Sequence, residues 1–158
     1  MNTLFEIYKT RLSKSGLWTL LLALSIQFAD AQSFTSRAYP DGNYIFCGQE
    51  LPKRFSYLVE KRLDDGTWIA AAELKAPTSL AECNARMLNL PKAIGQVTKI
   101  EPQIVDFVWR RLQNFTAIDS LYVYGFDPRY QSVAGVAWFD EEVKNPGQYR
   151  YRVSRLTT

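Results

Sequence analysis

The 158-residue chain contains no histidine. That removes the one side chain whose ordinary pKa lies between pH 5 and 8. Histidine general bases, Ser–His and Cys–His nucleophile pairs and most zinc sites go with it. Cysteine is scarce as well: Cys47 and Cys83 are the whole supply, too few to hold a metal without histidine. Charge of one sign is also lacking. There are 19 basic against 16 acidic residues, net +3, a bias too weak to argue for nucleic acid or an anionic membrane surface. No Gly-x-Ser-x-Gly elbow, phosphate-binding glycine loop or Asp-x-Asp-x-Asp-Gly calcium loop occurs. No cofactor, metal or catalytic residue is expected.

A long hydrophobic run is missing too, but a short one is present. Lys9, Arg11 and Lys14 stand against the single acid Glu6, and Leu17–Phe28 follows as twelve uncharged residues. Ala29-Asp30-Ala31 then supplies the small residues of an A-x-A cleavage site. Residues 1–31 therefore read as a secretory signal peptide cut between Ala31 and Gln32. Twelve helical residues cover only about 18 Å of a hydrocarbon core about 30 Å thick, so no integral membrane span is expected. The remaining 32–158 suits one domain with one core, exported to a secreted, periplasmic or cell-surface location.

Along that domain the turn and strand signals dominate first. Gln32–Pro40 is a lead-in able to pair as a short strand, and Tyr44–Cys47 is a candidate strand. Phe55, Tyr57 and Val59 share one face of the next strand. Asp64-Asp65-Gly66 forms a hairpin turn and Trp68–Leu74 returns. At Pro77 the period changes. Ser79 and Glu82 form a capping box, and Leu80, Cys83, Met87 and Leu90 make a helical stripe. Lys92–Lys99 is read as a loop. A second helix begins near Pro102 with Ile104, Val108, Leu112 and Phe115 on one face and an Asp106–Arg110 pair on another. Val133–Phe139 reads as a helical turn running into a strand. Gln148–Leu156 alternates, with Tyr149, Tyr151 and Val153 inward.

The hairpin Phe55–Arg62 with Asp65-Gly66-Thr67-Trp68 resembles strands C and C′ of fibronectin type III domains. The segment Val143–Val153, with its Pro146-Gly147 turn before Tyr149-Arg150-Tyr151-Arg152-Val153, resembles that family's corner before strand F. The resemblance implies a fibronectin type III or immunoglobulin-like sandwich, mainly β, with a helical insertion over roughly residues 76–139: an α+β domain. It also implies that Tyr149 is the corner tyrosine, its hydroxyl bonding nearby backbone. Strand G should follow strand F, yet the sequence stops at Thr158. Either the chain is the front piece of a longer protein or the last strand is supplied otherwise. The edge beside Gln148–Leu156 is expected to share a strand with a following segment, a partner chain or the lead-in Ser33–Tyr39.

The remaining constellations each have two readings. Export lets Cys47 and Cys83 form a disulfide; two separate buried thiols are the alternative. Tyr122, Tyr124, Phe126, Tyr130 and Trp138 form a candidate binding surface for a protein or glycan, or else they are core for the insertion. Lys61, Arg62, Arg150, Arg152 and Arg155 make either a basic face or an ordinary solvated one. Asp140, Glu141 and Glu142 are adjacent acids without the geometry of a carboxylate site. Asn114-Phe115-Thr116 and Asp119-Ser120-Leu121 are short glycosylation-like signals. The expectation is an exported, non-catalytic binding or spacer module. The alternative is an accessory domain of a larger secreted enzyme whose catalytic part lies beyond residue 158.

Overall fold

The computed structural model describes residues 34–95, 101–145 and 147–157. The signal segment, the Ala31/Gln32 cut and part of the loop after Lys92 lie outside them. Six strands are described: β1 (Thr35–Tyr39), β2 (Gly42–Phe46), β3 (Phe55–Arg62), β4 (Trp68–Leu74), β5 (Ala137–Asp140) and β6 (Arg150–Thr157). They form two antiparallel three-stranded sheets, β1-β2-β5 and β4-β3-β6. Between β4 and β5 lie the α-helices α1 (Leu80–Leu88), α2 (Pro102–Asn114) and α3 (Pro128–Ala134), with 3-10 segments at Lys92–Ile94 and Ile118–Phe126. The fold is mixed α+β. Among the described residues no helix is long and apolar enough to cross a membrane.

The β3–β4 hairpin forms for the reasons its sequence suggests. Gly66 adopts φ +87, which a side chain would resist, and Asp65 Oδ1 accepts from the Thr67 amide at 2.8 Å. Phe55, Tyr57 and Val59 are buried on the inner face, at 8, 0 and 0% exposure. Burying side chains of this size stabilises the fold by roughly 1.5–3 kcal/mol each. Ile45 from β2 joins Tyr57 and Val59 in the same buried cluster.

The helical region between β4 and β5 is continuous with that core. Cys83 and Met87 of α1 and Val105, Val108 and Leu112 of α2 belong to the same cluster as Ile45, Cys47 and Leu51. Backbone bonds stitch it to the β2–β3 connection: Leu51 N to Thr116 O at 2.7 Å, Ile118 N to Gln49 O at 2.8 Å and Cys47 N to Val136 O at 2.8 Å. The Ser79 hydroxyl accepts from Glu82 N at 3.1 Å, as a capping box requires. The Glu82 carboxylate reaches the Thr78 amide and hydroxyl, at 2.7 and 2.9 Å. Gly135 closes α3 in the left-handed region, φ +77, packed against the Lys75 carbonyl.

Several expectations are corrected. The lead-in is β1, and it pairs with β2 from Thr35↔Phe46 to Tyr39↔Gly42, so it does not cover β6. The 76–139 stretch is not all insertion: Ala137–Asp140 is β5, paired with β2. Leu80 opens α1 with 39% exposure, and Phe115 lies beyond the end of α2 with 42%. Each stripe therefore loses the end member that its helix terminus turns to solvent. Lys61 is no part of a basic face: alternation puts it inward with Tyr57 and Val59, 7% exposed. Arg155 likewise sits opposite Tyr57 on the inner row. Near the start of β6 the Tyr151 hydroxyl is held by two side chains. It donates to Asp140 Oδ2 at 2.9 Å and accepts from Asn43 Nδ2 at 3.0 Å. Tyr149 is half-buried, with the Lys61 ammonium 5.3 Å from its ring centre.

Candidate functional site

The 3-10 segment Ile118–Phe126 is apolar on both of its sides. Ile118, Leu121 and Gly125 are buried. Between and just beyond the last two anchors, three apolar side chains face out. Tyr122 is 58% exposed, Val123 75% and Phe126 81%. Tyr122 is also the only non-glycine residue with positive φ among those described, at φ 54 and ψ −129. Such a conformation costs on the order of 1–3 kcal/mol and persists only where neighbours hold it.

The neighbours are identifiable. Arg111 of α2 donates from Nη2 to Tyr122 Oη at 3.0 Å. Its guanidinium stands 4.7 Å from the Tyr122 ring centre, 4.9 Å from Phe115 and 5.4 Å from Phe107. Phe107 stacks on Tyr122 with centroids 6.5 Å apart and meets Tyr124 at 5.8 Å. The backbone of Gly125 passes so close to Ile118 that an added Cβ would lie 2.5 Å from its carbonyl oxygen. Gln131 Nε2 donates to the Gly125 carbonyl at 2.7 Å and bonds the Tyr44 hydroxyl through its oxygen. Burial pushes the Tyr44 hydroxyl far above the usual tyrosine range, so it stays protonated. The crest of Tyr122, Val123 and Phe126 is therefore held from beneath.

The five aromatics proposed from sequence separate into two groups. Tyr122 and Phe126 are on the exposed crest. Tyr124 is half-buried and meets Tyr130 edge-on at 4.9 Å, while Tyr130 is buried at 9% exposure. Tyr130 belongs to the buried core, and Tyr124 packs against it. Trp138 is half-buried on β5, opposite Ile45 in the β2–β5 register. Sequence reasoning missed Val123, Arg111, Phe107 and Phe115. A signal existed: Phe107, Arg111 and Phe115 recur every four residues, one face of a helix.

Elsewhere the polar groups are mostly engaged. Lys61 Nζ meets Asp140 Oδ2 at 2.9 Å, with the two side chains 9% and 1% exposed. Asn43 Oδ1 accepts from Gly147 N at 2.7 Å, and Asp140 Oδ1 from Glu142 N at 3.1 Å. Asp140 thus ties β5 to β3 and β6, whereas Glu141 and Glu142 point to solvent. A cleft of about 470 Å³ is lined by Lys53, Arg54, Lys75, Phe55 and Trp109. Lys53 donates there to the Gln113 carbonyl at 2.7 Å, and Lys75 pairs with Glu73 at 2.9 Å. Asn114 donates its amide to Arg110 O at 2.8 Å, and the Ser120 hydroxyl is buried without a partner among the described residues. Among the described residues no group of three or more metal-binding side chains gathers.

Cys47 and Cys83 are both buried and free; the bridge considered between them is not formed in the structure. Burial pushes the Cys47 thiol up to about 12 and the Cys83 thiol up to about 11. Both are packed as small apolar side chains rather than as nucleophiles. No protein-family model, curated protein or solved structure matches the chain.

Proposed function

We propose that the chain is an exported, non-catalytic binding module built on a fibronectin type III-like sandwich, with its helical insertion presenting the recognition surface. The pairing order supports the fold part of this reading. In this reading β3 and β4 are the C–C′ hairpin, and β6, beside β3, takes the place of strand F. The second sheet, β1-β2-β5, has the pairing order that the A-B-E sheet would have. The signal-like start of the sequence supports export.

One observation carries the recognition role: Tyr122, Val123 and Phe126 are exposed together on a strained, well-anchored turn. Exposed apolar side chains standing singly need no explanation, but a rigid cluster beside a stacked guanidinium is the composition of a binding hot spot. The rings and the Arg111 plane suit a sugar face or an apolar partner side chain. Photo-crosslinking in exporting cells tests this. A photoreactive phenylalanine at position 126 should give a discrete adduct, lost when Val123→Ser is added, while the same residue at exposed Arg62 gives none. A purified protein that still begins at Met1 in the cytosol, or equal labelling from both positions, defeats the reading.

A further inference from the structure

Among the described residues the β4-β3-β6 sheet ends on an unpaired edge at β6. β6 pairs with β3 from Phe55↔Thr157 to Arg62↔Arg150 with no shift in register, and no described strand pairs its other side. Alternate N–H and C=O groups along eight residues therefore point away from the sheet. The other edges are blunted. The β4 register shifts between Val59 and Glu60, a bulge that turns that edge, and β1 and β5 have only five and four residues.

Charges that could guard β6 are drawn back from its edge. Arg152 grips Glu60 with two bonds of 2.5 and 2.6 Å, and its guanidinium stands 4.7 Å from the Trp68 ring, two strands inward. Arg155 pairs with Glu50 at 2.7 Å and stacks 4.5 Å from the Phe55 ring, also on the β3 side. Arg150 is exposed, and the residue directly across from it is Arg62, a like-charge pair. An acidic side chain on the far side of Arg150 would relieve that repulsion. Tyr151 and Val153 meanwhile continue an apolar row on the inner face.

We infer that the free edge of β6 accepts a β-strand from a partner polypeptide. That strand is apolar at the positions beside Tyr151 and Val153 and acidic beside Arg150. Main-chain bonds supply the affinity, and the alternation supplies the register. The inference is independent of the aromatic crest.

The probe is a capped nonapeptide alternating valine and glutamate, titrated into the purified protein. It should slow amide exchange at alternate residues of Arg150–Thr157. A valine–arginine peptide, or a valine–glutamate peptide N-methylated along its pairing edge, should bind about tenfold more weakly or worse. Arg150→Glu should reverse the charge preference without lowering the thermal midpoint, because Arg150 is exposed and the new carboxylate faces Arg62. Phe126→Ser should leave peptide binding unchanged, so failure at the crest and failure at the edge are read separately. Full protection of β6 amides in the free monomer overturns the proposal. So does equal binding of both charge types. Concentration-dependent dimerisation that protects β6 overturns it too, making a second copy the occupant.

Discussion

Lys61→Met strands Asp140, and its cost follows from the geometry. The pair is buried, with Nζ and Oδ2 2.9 Å apart. Removing one partner of such a pair typically costs about 3–5 kcal/mol, because the remaining charge has no compensation. Asp140 keeps the Tyr151 hydroxyl at 2.9 Å and the Glu142 amide at 3.1 Å, which places the cost near the lower end. About 3 kcal/mol is a large share of a net stability of roughly 5–15 kcal/mol. With a urea m-value of about 1.5 kcal/mol/M, the unfolding midpoint should fall by about 2 M. The double variant Lys61→Met/Asp140→Leu should recover much of this, since apolar side chains of similar volume replace both charges. Its loss is expected at about 1–2 kcal/mol, reflecting the acceptor taken from Tyr151, which keeps Asn43. Urea denaturation followed by tryptophan fluorescence gives the three values. A single-variant shift below about 0.5 M at unchanged m would falsify the uncompensated-charge argument. A double variant losing the sum of both singles would show that the pair is not coupled.

Other expectations follow from packing and titration. Gly125→Ala pushes a methyl to 2.5 Å from the Ile118 carbonyl and should cost about 1–3 kcal/mol by thermal unfolding, with the crest distorted; an unchanged midpoint would contradict the close approach. Val123→Ser and Phe126→Ser remove exposed side chains and should each change stability by less than about 0.5 kcal/mol, so a larger loss would mean the crest is core. The thiols of Cys47 and Cys83 are raised to about 12 and about 11, so the folded state keeps their protons after the unfolded state has released them. Stability should therefore be unaffected by them below about pH 8.5 and fall between about pH 8.5 and 11 by about 1.4 kcal/mol per pH unit for each thiol. Iodoacetamide at pH 8 should leave both unmodified until the protein unfolds, and rapid labelling of the native state would refute their burial.

The site was less legible than the fold. The two residues of the crest that sequence reasoning named, Tyr122 and Phe126, came with three companions that serve packing or sit elsewhere. Aromatic composition could not separate them, because ring burial depends on which side of a 3-10 turn meets the insertion. Val123 gave no signal, since an isolated valine looks like core in any window. Lys61 was misplaced for a different reason. Its charge argued for solvent, while its period-two relation to Tyr57 and Val59 argued for the inner face, and the period prevailed because Asp140 waited there.

Local chemistry settled by the sequence itself includes the Asp65-Gly66 turn, the Ser79 cap, the start of α2 at Pro102 and the alternation of β3 and β6. Each depends on residues within about one turn or a few positions of one another, so no distant partner is needed. Tertiary structure alone decided which strands became neighbours, that the lead-in pairs with β2 rather than β6, and that Lys61, Asp140, Tyr151 and Asn43 converge. The last of these joins residues from 11 to 108 positions apart. Such outcomes arise only when two sheets close over a shared core, where a buried charge has no choice but to find its counterpart.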